Sequence, residues 1–125
     1  MTQSGWIGVD LDGTLAKYST WNNGQIGDPI PAMVERVKKW LLLGIEVRIF
    51  TARVGSGAGY SAESGRSDDD TFAAEQRALI EAWCEEHIGC KLPVTATKDF
   101  RMIELWDERA VQVVINTGIR ADGKP

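Results

Sequence analysis

Residues 7–14 read Ile-Gly-Val-Asp-Leu-Asp-Gly-Thr. A short apolar run from Trp6 to Val9 stops at two carboxylates one residue apart, Asp10 and Asp12, and Gly13 and Thr14 follow at once. An apolar run of this length, bounded by turn residues, reads as a buried strand. Two like charges at its end repel each other and lose hydration, so they call for a compensating partner. Alternate residues of a strand point to opposite faces, so Asp10 and Asp12 can point into one site while Leu11 packs inward. Gly13 permits a tight turn directly after them.

The pattern continues outward from this stretch. Residues 15–30 hold Asn22-Asn23-Gly24, a turn signal, and read as a small flap carrying Tyr18 and Trp21. Pro31 to Leu43 is expected as a helix: Val34, Val37 and Leu41 recur at helical spacing, Pro31 suits the first turn and Gly44 the C-terminal cap. Ile45 to Phe50 reads as a second strand, ending in Thr51-Ala52-Arg53. Residues 54–69, rich in Gly, Ser and Asp, are expected as a long mobile loop. Phe72 to His87 is expected as the second helix, with Phe72, Gln76, Leu79, Ile80 and Trp83 on one face and Asp68 to Asp70 at its N-terminus, where the helix dipole favours them. Leu92–Thr95, Met102–Trp106 and Val111–Ile115 read as further strands. Strands alternating with helices imply an α/β domain, a Rossmann-like three-layer sandwich with a mostly parallel sheet of about five strands.

In such a sheet, ligands bind at the carboxyl ends of the strands. Asp10, Asp12 and Thr14 follow the first expected strand, Thr51 and Arg53 the second, Lys98 the third, and Asp107 and Glu108 the fourth. Clustered carboxylates suit a hard cation such as Mg²⁺, and a lysine with threonine hydroxyls suits phosphate oxygens.

Four of these segments together resemble the motifs of the haloacid dehalogenase superfamily of phosphotransferases: Asp10-Leu-Asp12-Gly-Thr14, Ile-Phe-Thr51-Ala-Arg53, Lys98, and Leu-Trp-Asp107-Glu108. They occur in order between residues 7 and 110. The resemblance implies a Mg²⁺-dependent phosphate monoester hydrolase. Asp10 would be the nucleophile that forms an aspartyl phosphate and Asp12 the general acid and base. Thr51 and Lys98 would neutralise the transferring phosphoryl group, with Thr14 and Arg53 as further substrate contacts. The metal would be held by Asp10, the backbone carbonyl of Asp12, and Asp107. Many relatives carry Asp where this chain has Glu108, which would act through a water or in a salt bridge instead. Larger relatives insert a cap domain over the site. This chain has no room for one, so the site is expected to be open, admitting a large substrate or closed by a neighbouring subunit of a homo-oligomer. Two alternatives stay open: a phosphatase acting on nucleic-acid ends, and a catalytically idle module that binds phosphate or Mg²⁺.

Composition sets the wider frame. The chain has 125 residues, 43% of them hydrophobic, enough for one core and one domain over residues 1–125. A net charge of -4 gives no electrostatic footprint for nucleic acid or an anionic membrane. No apolar run approaches the roughly 20 residues of a membrane span. Two cysteines and no secretory signal point to a cytoplasmic protein with reduced thiols.

Other patterns carry less. Gly55-Ser56-Gly57-Ala58-Gly59 lacks the Gly-Lys-Ser/Thr ending of a P-loop. Cys84, His87 and Cys90 offer three ligands where structural zinc takes four, and read better as a buried thiol and helix-end residues. Asp68 to Asp70 begin a helix and are not followed by a calcium-loop pattern.

Overall fold

A computed structural model describes residues 5–55, 60–61, 66–67 and 69–125. The chain runs β1 (Trp6–Val9), α1 (Pro31–Leu42), β2 (Glu46–Phe50), a 3-10 turn (Ala52–Val54), β3 (Tyr60–Ser61), β4 (Arg66–Ser67), α2 (Asp69–His87), β5 (Val94–Thr95) and β6 (Met102–Trp106). The main sheet has four strands, all parallel, in the order β5-β2-β1-β6. A two-residue antiparallel pair, β3 with β4, lies within the stretch expected as a loop, of which residues 56–59, 62–65 and 68 fall outside the described residues.

The helix ends follow their local sequence. Pro31 opens α1, where its missing N–H leaves no bond unmade. At the other end Gly44, at φ 78, lets its N–H reach Leu41 O and that of Ile45 reach Trp40 O, both at 3.0 Å. That pair of bonds is a Schellman cap, and the left-handed position is why glycine stands there. Met33, Val34 and Val37 turn the buried face of α1 inward. On α2, Gln76, Ile80, Trp83 and Cys84 are buried, whereas Leu79, expected on the same face, is 48% exposed.

Both helices pack on the same face of the sheet. Ile7 and Val9 pair in register with Val47 and Ile49, and Ile49 pairs with Val94. These five join the buried side chains of α1 and α2 in one core cluster. Two right-handed crossovers that step in one direction, β1 to β2 to β5, must put both helices on one side. Among the described residues no helix covers the opposite face. There Trp6 is fully buried beneath smaller contacts: Arg48 stacks on its ring at 4.5 Å, Phe50 lies 6.5 Å away, and its indole N–H donates to Asp99 at 2.9 Å. The expected three layers are therefore two layers over the described chain.

The expected fifth strand, Val111–Ile115, is absent. Its β-branched content matches a strand, but the segment folds back on itself. Asn116 and Gly118 take positive φ, Val114 N–H donates to Ile119 O, and Val113 bridges Arg120. Its apolar side chains stay exposed.

Candidate functional site

β1 enters the sheet between β2 and β6, and the chain passes from one side of it to the other. That makes the carboxyl end of β1 a topological switch point, where an open parallel sheet leaves a crevice. The Asp10 N–H donates to Trp106 O at 2.9 Å, carrying the ladder one residue past β1 and setting Asp10 beside the end of β6. The backbone then turns sharply: Leu11, fully buried, accepts from the N–H groups of Thr14, Leu15 and Ala16. Gly13 sits in this turn at φ 92, and a Cβ there would strike the Glu108 carboxylate. Any other residue there would be strained by the left-handed backbone and would have to displace the Glu108 side chain.

The two aspartates of the turn face different surroundings. Asp10, Asp107 and Glu108 each offer a carboxylate oxygen, and the three oxygens lie within 4.8 Å of one another. Thr14 ties the group together, its hydroxyl donating to Asp10 at 3.5 Å and accepting the Glu108 N–H at 3.1 Å. Asp107 accepts the backbone N–H of Arg109 at 2.8 Å. Burial, then a hydrogen bond with the Glu108 carboxyl, then the charges of Asp107, Glu108 and Asp12 push Asp10 up to a pKa of about 7. Three carboxylates so close are stable only with a shared proton or a cation among them. Their hard oxygens suit Mg²⁺ or a similar divalent ion.

Asp12 faces a guanidinium instead. Arg53 grips its two oxygens through Nε and Nη2, each at 2.8 Å. The rest of the guanidinium is also taken up: Nη1 donates to Gly24 O at 2.8 Å and Gln76 Oε1 at 2.7 Å, and Nη2 to Gln25 O at 3.3 Å. Five N–H donors thus meet five acceptors. The Trp21 ring lies 4.8 Å from the guanidinium carbon. Arg53 is 4% exposed, so it is a structural bolt for Asp12 and has no donor left for a ligand. Thr51 sets up this bolt, its hydroxyl accepting the Arg53 backbone N–H at 3.2 Å as the cap of the 3-10 turn.

These residues line one cavity of about 450 Å³. Asp10, Asp12, Thr51, Arg53 and Asp107 come together there as expected, with Glu108 beside them and Tyr18 and Trp21 of the flap at its wall. Thr14 braces the carboxylates from behind. Lys98 is not brought in: it is exposed and does not line the cavity. The segment after β5 crosses the helix-free face to reach the start of β6, where Arg101 O accepts the Trp6 N–H at 2.9 Å.

Sequence reasoning missed Arg109, Phe50 and Phe72, which also line the cavity, and gave Gln76 only a place on a helix face. A glutamine among apolar residues of one helix face was the available signal, since a buried amide needs partners. Arg109 is exposed at the cavity and, among the described residues, its side chain pairs with no carboxylate. Cys84, His87 and Cys90 form no metal cluster; among the described residues the acidic trio is the one such group. The Cys84 thiol, pushed up to about 12 mainly by burial, is inert. No described helix is long and apolar enough to cross a membrane.

Comparison with known proteins finds no matching family model, no matching curated protein and no matching solved structure.

Proposed function

We propose that this chain is a small Mg²⁺-dependent phosphate monoester hydrolase of the haloacid dehalogenase type, with the Rossmann-like sheet of that superfamily and no cap domain. The observation that carries the reading is the split between Asp10 and Asp12. One turn sets two carboxylates side by side, one among carboxylates and one on a guanidinium, and such a split is how a single site runs two different carboxylate roles.

In this reading Asp10, ionised once a cation takes the place of its proton, attacks phosphorus, and the ester oxygen leaves with a proton that Asp12 has first taken up from water. Water then opens the aspartyl phosphate, giving its proton back to Asp12. Arg53 fixes the direction of the Asp12 carboxylate while it is ionised. The Thr51 oxygen accepts from Arg53, which leaves its hydroxyl proton for a phosphoryl oxygen. Asp10, Asp107 and the backbone carbonyl of Asp12 would hold Mg²⁺, with the Glu108 carboxylate close enough to join them or to act through water. Bound there, the ion supplies the positive charge that the trio and the phosphoryl oxygens both require. Arg109 takes the place proposed for Lys98 as the cavity's unpaired cation.

The exposure of Lys98 favours a second reading, a module that binds phosphate and Mg²⁺ without turnover. Phosphate release from an aryl phosphate, with and without Mg²⁺, decides between them. Mg²⁺-dependent release that disappears in Asp10→Asn is the expected result. Release that survives in Asp10→Asn would sink the nucleophile assignment, and Mg²⁺ binding with no release from any ester would favour the idle module.

A further inference from the structure

The cavity has two unlike ends. One is the carboxylate trio; the other is an aromatic wall to which Trp21 and Phe72, packed on each other, and Tyr18 contribute. Tyr18 and Trp21 are 43% and 47% exposed, so a large part of each stays open to a ligand. Trp21 is nevertheless held in place. Its ring packs on Phe72 with centroids 6.2 Å apart and lies over the Arg53 guanidinium. The flap beneath it is pinned where Gly24 O and Gln25 O accept from Arg53. An exposed indole fixed in orientation is a stacking surface whose ordering has already been done before any ligand arrives.

The spacing says what would stack there. Arg53 lies between Asp12 and the wall, 2.8 Å from the Asp12 carboxylate and 4.8 Å from the Trp21 ring centre. The aromatic wall therefore begins one guanidinium away from the proposed acid and base. A planar ring joined to a phosphate through a sugar presents one group for each end of the cavity. We propose that the substrate is a nucleoside monophosphate, its phosphate at Asp10 and its base against Trp21 and Tyr18. This rests on the phosphatase reading, and it adds a ring-binding surface that can be tested apart from turnover.

The test compares pairs of ligands that differ only in the base. Adenosine and ribose, which carry no phosphate, are titrated into the full chain by NMR. AMP and ribose 5-phosphate are compared by kcat/KM in Mg²⁺. Stacking of a base on an aromatic side chain predicts about a tenfold or greater preference for the base-bearing member of each pair. Trp21→Ala should bring adenosine down to the level of ribose. Tyr18→Ala, at a more peripheral exposed position, should narrow the difference and keeps the test valid if the first variant folds poorly. Equal binding of adenosine and ribose overturns the inference whatever the turnover. A preference for adenosine that both variants leave intact overturns it too. Tight adenosine binding with no phosphate release from any ester would keep the ring surface and remove the phosphatase reading.

Discussion

Asp10 and Asp12 leave the same strand two residues apart and meet opposite electrostatic worlds. Around Asp10 the neighbours are carboxylates, and the aspartate is driven toward holding a proton at neutral pH. Around Asp12 the neighbour is a guanidinium, saturated with acceptors and buried. The difference teaches that a two-residue motif sets the direction of two side chains but not their state. State is written by what other segments bring: β6 and its extension bring Asp107 and Glu108, and the turn after β2 brings Arg53.

The comparison breaks most severely at Arg53. Arg53→Met would leave Asp12, two backbone carbonyls and Gln76 without their partner, and removing one member of a buried pair costs roughly 3–5 kcal/mol. Urea unfolding measures this loss, and activity should vanish with it. In Asp12→Asn with Arg53→Met, part of the stability should return, because no unpaired charge remains; a double variant as unstable as the sum of the two singles would mean the ion pair is not the source.

The Asp10 corner yields a pH dependence of opposite sense to that of an ordinary salt-bridged aspartate. Its pKa in the folded chain, about 7, lies above its ordinary 3.8, so between those values the folded state holds a proton that the unfolded state has lost. Stability from this group is complete below about pH 4 and falls as pH rises through 7. Thermal melts in EDTA should show Tm declining from pH 5 to pH 8, with a flatter profile in Asp10→Asn. Mg²⁺ should restore Tm at pH 8, since a cation replaces the proton. A metal-free Tm that climbs over this range by the same amount in both proteins would contradict the assignment.

The smallest effect belongs to Gln76, which meets Arg53 through one hydrogen bond. Gln76→Leu leaves one buried N–H unpaired, a cost of about 1–3 kcal/mol. A shifted pH profile of kcat, with KM little changed, would separate a positioning role for Gln76 from simple loss of packing.

Which parts of this were readable from sequence follows from how far apart the contributing segments lie. Asp10, Asp12, Thr51 and Asp107 were readable because each follows an apolar strand, and a parallel sheet sends every such end to one edge. Lys98 also follows a strand, but the segment that carries it crosses the helix-free face, where Trp6 holds Asp99. Nothing in local sequence announces that detour. Arg53 was read as a ligand contact because arginine after a strand end often is one. Its five acceptors come from the first turn, the flap and α2, and spacing along the chain cannot reveal such convergence. Val111–Ile115 has the β-branched content of a strand, and the turn at Asn116–Gly118 diverts it. The third layer was inferred from the fold class, whereas the placement of helices follows from strand order, which composition does not encode.

The parallel sheet also gives the molecule a blank end. The connections that enter β2, β5 and β6, at residues 43–45, 88–93 and 99–101, lie at the edge opposite the cavity. The chain's one exposed thiol, Cys90, is in the second of these, while Cys84 is sealed in the core. A tether coupled through Cys90 would fasten the protein to a bead or an electrode by its back, with the mouth of the cavity turned toward the solution.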